Sequence, residues 1–494
     1  MASLPVMWLL VLMASGAVLL YYLARILRFS NRILAAFSAL ILAGGLVLVA
    51  APQAARNLPI SGVHLSAGAG SAVLFNTGGQ LVSVAALFLA TLVCIYCGEY
   101  LNLDRRFHVF YPLLLMMMTG LTGMVFAADL FSVYLFCELM SICAYALVAF
   151  RKDTDTAIEA GYKYLIMGSA ATIIMLLGIA LIFMESGSVE ITSMLALGGM
   201  WSEVGVLCLF VGLGLKCAMV PMHTWLPDAH GRAPSSISAI LSGILVQSVL
   251  FTLVRVCLGL GADARLLGTA LMVIAAANII LGNVMALVQQ HTKRLLGYST
   301  IAQMGYMMIC LGVGLRSASA LALQAFWFLL IIHGFSKALA FLSKGVWHYY
   351  FGATLTDDLK GKMQQSSLTA WVFSLGLASL SGLPPLAGFT GKWFLLTSLM
   401  EKLDRLGIAA MIVFLAGSVI ALGYYLPLMV AMFQRTGEPS DENGPPAGRR
   451  RISPWMGVPL VCLAGGILLM SLFPQFFMQY TDGAVSFLMG MITE

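Results

Sequence analysis

The sequence predicts an all-α integral membrane protein of about fourteen transmembrane helices, with two inverted five-helix repeats at its centre. Three observations carry this. Of the 494 residues, 60% are hydrophobic and only 10% are charged, where a soluble domain carries about 25% charged residues. Apolar runs recur that can cross hydrocarbon, which takes about 20 residues. The seventh and twelfth runs are interrupted by proline and glycine at membrane depth.

Taken in order, the first run, MASLPVMWLLVLMASGAVLLYYLARILR, lacks a basic leading segment and is too long for a signal peptide. It reads as a retained span. Spans 2 and 3 centre near residues 42 and 88 and complete an N-terminal unit, 1–105. Spans 4 to 8 centre near 116, 139, 172, 211 and 244 and form the first repeat, 106–260. Spans 9 to 13 centre near 276, 305, 331, 382 and 420 and form the second, 261–434. A cytoplasmic loop and span 14, near 464, make up 435–494. The segments 52–78, 347–367 and 434–454 are rich in Gly, Pro, Ser or charge and read as loops, not domains.

Span 7 is broken by MVPMHTWLP, which contains Pro221. Span 12 is broken by ASLSGLPPLAGFTGKWF, which contains Pro384 and Pro385. Such backbone survives at membrane depth only where it is buried in protein or lines a wet cavity. The broken span is the fourth of its block in both cases. Because five is odd, the second block enters the membrane from the opposite side, the signature of an inverted repeat.

Of the 27 Lys and Arg residues, seventeen fall in loops after odd spans and six in loops after even spans. The positive-inside rule then puts the odd loops in the cytoplasm and both termini outside. The expected setting is a multi-pass protein of a bacterial or archaeal cytoplasmic membrane. No basic stripe suggests nucleic acid. The nine cysteines are scattered, and Cys94 and Cys97 share an apolar span, so they read as packed thiols. No iron–sulfur, haem or zinc framework is legible, and no cofactor or metal is expected.

The four remaining cations, Lys163, Lys216, Lys337 and Lys392, lie within spans 6, 7, 11 and 12. Among the acids only Glu138 sits deep in a span. A cation at the bilayer centre costs about 2.5–3.5 kcal/mol on insertion scales, and such residues mark ion or proton paths. Lys216 and Lys392 each lie a few residues from a helix break.

At these residues the chain resembles the antiporter-like subunits shared by respiratory complex I, multisubunit cation/proton antiporters and energy-converting hydrogenases and formate hydrogenlyases. The matching stretches include VYLFCELMSICAYALVAF, GLKCAMVPMHTWLPDAHGRAPSSISAILSGIL, HTKRLLGYSTIAQMGYMMICLG, HGFSKALAFLSKG and SGLPPLAGFTGKWFLL, within residues 110 to 395. The resemblance implies fourteen helices with two inverted repeats. It matches Glu138 to the family's fifth-helix glutamate and Lys216 to its seventh-helix lysine. His333 and Lys337 match the polar pair of the eleventh helix, and Lys392 the lysine of the twelfth. One departure stands out. Where the family carries a lysine on the eighth helix, GILVQSVLF has Gln247, an amide that does not exchange protons.

The expected chemistry follows from burial. A buried lysine alone favours its neutral form, and a carboxylate a few ångströms away reverses that preference. Glu138 moving relative to Lys216 would therefore toggle the lysine between holding and releasing a proton; the plain alternative is a static ion pair. Lys392 reads as the terminal carrier, against a lysine snorkelling to the interface. His333 and Lys337, at i and i+4, share a helix face and would bridge the halves, against a histidine that only packs. Lys163 would modulate Lys216, with snorkelling as its rival. Gln247 reads as a water-organising residue. His223, Asp228 and His230 serve either proton uptake or loop hydrogen bonding, and His291, Lys293 and Arg294 read as a solvated loop.

Three functions remain on the sequence. The first is a proton-translocating subunit of a redox-driven complex, with the redox chemistry in partner subunits. The second is a subunit of a Na⁺ or K⁺/proton antiporter with no redox partner. The third is a membrane scaffold with an impaired channel, for which Gln247 is the best support. All three expect other membrane subunits and the lipid bilayer as partners.

Overall fold

The computed structural model describes residues 4–27, 29–50, 73–151, 155–191, 199–401, 404–434 and 451–493. The Gly/Ser-rich segment up to residue 72 and most of the loop 434–454 lie outside the described residues. Among the described residues, regular structure is helical, with isolated bridges only. Spans 1 to 6 are Leu4–Leu27, Asn31–Ala50, Thr77–Tyr100, Phe107–Phe126, Leu130–Val148 and Asp155–Ser186. Span 7 is split into Met200–Lys216 and Trp225–Arg232, and span 8 is Ser235–Gly259. Spans 9 to 11 are Ala264–Leu287, Thr292–Ser317 and Ala320–Phe351. Span 12 is split into Ser367–Ser381 and Ala387–Glu401, and spans 13 and 14 are Arg405–Phe433 and Pro454–Leu472.

Helix is the form this sequence must take in lipid, because every backbone polar group there has to be satisfied within the segment. The starts are set by short polar side chains that bond the first free N–H groups. Asn76, Asp129, Asp263 and Asp404 accept from Gly79, Ser132, Leu266 and Gly407 at 2.6–2.7 Å. Asp129, near a span end in sequence, is thus the N-cap of span 5.

Spans 8 and 10 are buried along their length and span 11 nearly so, while spans 1, 13 and 14 are largely exposed. Burial in protein explains why the spans carrying Gln247, His333 and Lys337 tolerate so many polar residues. The helices approach closely where glycine removes the side chain. A Cβ on Gly282 would stand 2.6 Å from the Ala302 nitrogen, and one on Gly312 would stand 2.8 Å from the Gly268 oxygen, so spans 9 and 10 are in backbone contact.

The structure corrects three readings. Arg255 and Lys344, assigned to loops, lie within spans 8 and 11 and are 5% and 1% exposed. Each is tolerated because it serves a carbonyl just past a helix end: the Arg255 Nη1 donates to the Ala127 carbonyl at 2.7 Å, and the Lys344 ammonium donates to the Ala353 carbonyl. The segment His291–Arg294 is not a solvated loop. Lys293 donates to the Ala233 carbonyl at 2.5 Å and Arg294 pairs with Asp228. Burial and the neighbouring cations push the His291 imidazole down to about 4. The chain also continues past span 14. Pro474 starts a further helix, Pro474–Thr493, that packs on spans 3, 8 and 11.

Gly282→Ala is expected to lower thermal stability by about 1–3 kcal/mol through backbone overpacking. Gly457→Ala, where a Cβ meets nothing within 4 Å, should leave stability unchanged or raised. Thermal melts of both purified variants test this; equal melting of Gly282→Ala and the parent contradicts it.

Candidate proton pathway

The two broken spans share one backbone design. In span 7, Ala218 takes a left-handed conformation (φ 57°) and the Val220–Pro221 bond, three residues on, is cis. In span 12, Gly382 is left-handed (φ 81°) and the Pro384–Pro385 bond, again three on, is cis. In both spans a left-handed residue thus follows the first half-helix.

The first break is closed by side chains from elsewhere. Asn278 of span 9 accepts from the Val220 nitrogen at 2.9 Å and donates to the Ala218 carbonyl at 3.2 Å. Trp225 Nε1 donates to the Leu215 carbonyl at 3.0 Å. Lys216 ends the first half-helix, and its ammonium donates to Glu138 Oε1 at 3.1 Å and Ser141 Oγ at 2.7 Å. Thr172 Oγ1 donates to the same Glu138 oxygen at 2.8 Å. The burial is unequal: the side chain of Lys216 is 4% exposed and that of Glu138 24%. The carboxylate stays partly accessible, while the amine is sealed.

At the second break, Lys392 is buried and turned inward. Its ammonium donates to the Ser381 carbonyl at 3.0 Å and lies 4.9 Å from the centre of the Tyr306 ring. Gly382 suits this place because its φ of 81° strains any L side chain, and a Cβ would also stand 2.8 Å from Lys392 Cδ. Gln303 donates to the Leu380 carbonyl at 2.9 Å, serving the end of the first half-helix.

Between the breaks, Lys337 donates to the Leu296 carbonyl at 2.7 Å and to Ser299 Oγ. His333 Nε2 lies 3.2 Å from the Ser242 carbonyl. That carbonyl belongs to a π-helical turn, Leu241–Leu245, in span 8, a register change that frees backbone groups and recurs at functional sites. Gln247 Nε2 donates to the Gly243 carbonyl at 2.6 Å, and its Oε1 is buried without a protein partner. His333 Nδ1 and both ring nitrogens of His230 are likewise buried without protein partners. Ordered water commonly serves such groups in folded proteins.

The structure therefore brings Glu138 and Lys216 together and lays His333, Lys337, Gln247 and Lys392 in the buried interior. Lys163 stands apart. It is half exposed and pairs with Glu159 at 2.8 Å and Asp228 at 3.3 Å. His223 is 9% exposed, near the first break, with Nδ1 unpartnered. Sequence reasoning missed Ser141, Thr172, Asn278, Ser299 and Tyr306. The only signal was a polar side chain inside an apolar span, as for Asn278 in AAANIILGN.

Residues 127–421 match the family described as NADH:quinone oxidoreductase/Mrp antiporter, transmembrane. The chain belongs to this family. It is 32% identical over 474 residues to NADH-quinone oxidoreductase subunit N 1 of Solidesulfovibrio magneticus, covering 93% of this chain and 99% of that one. It is also 32% identical over 415 residues to subunit N of Desulforudis audaxviator, covering 81% of each. Among solved structures, a chain of the Mrp complex of a Dietzia species superposes with TM-score 0.85 at 21% identity, over 98% of this chain and 99% of that one. A chain of respiratory complex I from Thermus thermophilus does so with TM-score 0.74 at 25% identity, over 95% and 98%. Membership in the family carries the expected fold and the antiporter-like character of the subunit.

Asn278→Leu should leave the Val220 N–H and the Ala218 carbonyl short of a partner, at a cost of about 1–3 kcal/mol per buried group. Asn278→Asp keeps the acceptor and should lose less. Thermal melts of the two purified variants check this; a Leu variant as stable as the parent contradicts it.

Proposed function

We propose that this subunit moves protons along Glu138, Lys216, His333, Lys337 and Lys392 within a redox-driven, multisubunit membrane complex. The observation that carries the reading is the Glu138–Lys216 pair at a broken helix, one partner sealed and the other 24% exposed. That asymmetry makes Glu138 the mobile member. With Glu138 in place the ammonium has a carboxylate; with Glu138 turned away it keeps only the Ser141 hydroxyl, and release of the proton towards the interior is favoured.

The interior then carries the proton onward. Gln247 cannot take it up, but His333 shares the Ser242 carbonyl with Gln247 and has a free ring nitrogen. His333 and water ordered by Gln247 replace the missing lysine, and Lys337 and Lys392 continue the path into the second half. Lys163 holds Asp228 on the far half of span 7 and so acts on the position of the break, not as a carrier. His223, beside that break, belongs to the uptake side.

The relatives named NADH-quinone oxidoreductase subunit N favour a redox-driven complex of a bacterial cytoplasmic membrane over a stand-alone antiporter. The Mrp likeness keeps Na⁺ or K⁺/proton exchange as the second reading. The cation distribution supports an orientation with both termini outside.

Lys216→Ala and Glu138→Ala should each cut proton pumping by about tenfold or more in the assembled complex, measured as proton flux in vesicles with and without Na⁺. Normal pumping in both variants removes the proposal; flux that requires Na⁺ favours the exchange reading. His333→Ala should likewise lose pumping, and Gln247→Lys should restore it in the His333→Ala background. Undiminished pumping in His333→Ala would refute the detour around Gln247.

A further inference from the structure

Two clefts enter the second half from opposite ends. The first, of about 350 Å³, lies at the ends of spans 9 and 13 that the cation distribution assigns to the cytoplasm. Gln289, Thr356, Asp357, Lys360 and Gln434 make its mouth polar, and Gly423 and Tyr424 close its inner end. From Gln434 to Gly423 it follows span 13 for eleven residues, about 16 Å at the helical rise. The second, of about 290 Å³, opens at the other ends of the same spans beside Arg265, Arg316 and Asp404, and reaches in to Met272 and Leu399. Leu399 lies seven residues along span 12 from Lys392, about 10 Å.

A hydrogen-bonded file runs from the first cleft to the ring beside Lys392. The Tyr424 hydroxyl donates to Asn283 Oδ1 at 2.9 Å. Asn283 Nδ2 donates to the Tyr306 hydroxyl at 3.4 Å and to the Ile279 carbonyl at 2.9 Å. The Lys392 ammonium lies 4.9 Å from the centre of the Tyr306 ring. Asn283 and Tyr306 are fully buried, and Tyr424 nearly so. The flank is tight as well. Span 13 passes as the bare backbone of Gly417, where a Cβ would stand 3.1 Å from both Asn283 Nδ2 and the Tyr306 hydroxyl and 2.3 Å from Ile279 Cγ2. The Ile279 methyl thus fills the place from which a water could bridge the two polar groups.

The amide in the middle breaks the relay. A phenol gives one proton and takes another, whereas a carboxamide nitrogen only donates and its oxygen only accepts. A conducting file would be a fault in this position. It would join the cytoplasm to Lys392 and let protons cross without passing Glu138 and Lys216. We infer that Asn283 is a proton barrier that isolates Lys392 from the cytoplasmic cleft, holding two phenols with a group that transmits no proton; this rests on Lys392 being a carrier in the pathway proposed above.

The test is passive proton leak in vesicles holding the assembled complex, with no electron donor, after an imposed pH step and with a potassium ionophore clamping the potential. Asn283→Asp keeps the shape but introduces a group that both takes and gives a proton, and should raise the leak several-fold over the parent. Asn283→Leu has similar bulk and nothing to pass, and should stay as tight as the parent. Asn283→Ala, which opens room for water, should also leak and serves if the Asp variant does not assemble. Adding Tyr424→Phe at the cleft, or Lys392→Met at the other end, should return the leaking variant to the parental level. A tight Asn283→Asp, or a tight Asn283→Ala where the former does not assemble, would overturn the inference. So would an equal leak in Asn283→Leu, or a leak that survives Tyr424→Phe or Lys392→Met. The leak is read without turnover, so it is separate from redox-driven pumping: normal pumping in the Glu138 and Lys216 variants removes the pathway, whereas a tight Asn283→Asp removes only the barrier.

Discussion

A protonated amine inside a membrane protein must find oxygen, and most of this architecture answers that demand. Lys216 finds a carboxylate and a hydroxyl, Lys337 a carbonyl and a hydroxyl, and Lys392 a carbonyl and an aromatic face. Only the first has a formal counter-charge. The others have only carbonyl, hydroxyl and aromatic partners. In the proposed path Glu138 would be the one deep well, with shallower sites beyond it, and control would sit there, where a small movement of one side chain changes the balance most.

The spans are broken for the same reason. An intact helix spends its carbonyls on its own N–H groups, whereas a half-helix ends with carbonyls to offer. Ser381 lends its carbonyl to Lys392, and Leu215 lends its own to Trp225. The N–H groups exposed by the same breaks need partners as well. Asn278 from span 9 serves the first break, and the Ser471 hydroxyl from span 14 accepts from the Ala387 nitrogen at 2.8 Å at the second. The breaks are alike in backbone but braced by different spans, so the halves need not yield at the same load.

Legibility in the sequence followed the strength of the physical signal. Fourteen spans could be read because twenty apolar residues admit few other fates, and both breaks because proline and glycine cluster nowhere else at that depth. Glu138, Lys216, Lys337 and Lys392 announced themselves by the cost of their burial. Ser141, Thr172 and Asn278 did not, because a hydroxyl or amide inside an apolar span costs little and occurs often without a role. Arg255 and Lys344 were misplaced because long side chains reach the carbonyls past helix ends from within a helix. Lys163 illustrates the opposite error: a lysine in an apolar text, yet on an exposed face. The helix Pro474–Thr493 escaped notice because its apolar residues fall on one side only and do not make a continuous run.

That last helix has a mechanical consequence. It lies across spans 3, 8 and 11, with Thr77 donating to its Gly483 carbonyl at 2.6 Å and Gln324 to its Asp482 at 3.1 Å. The N-terminal unit and both halves are thereby tied together at one end, so a rocking of the halves against each other would be smallest at that tie and greatest at the far rim of the bundle.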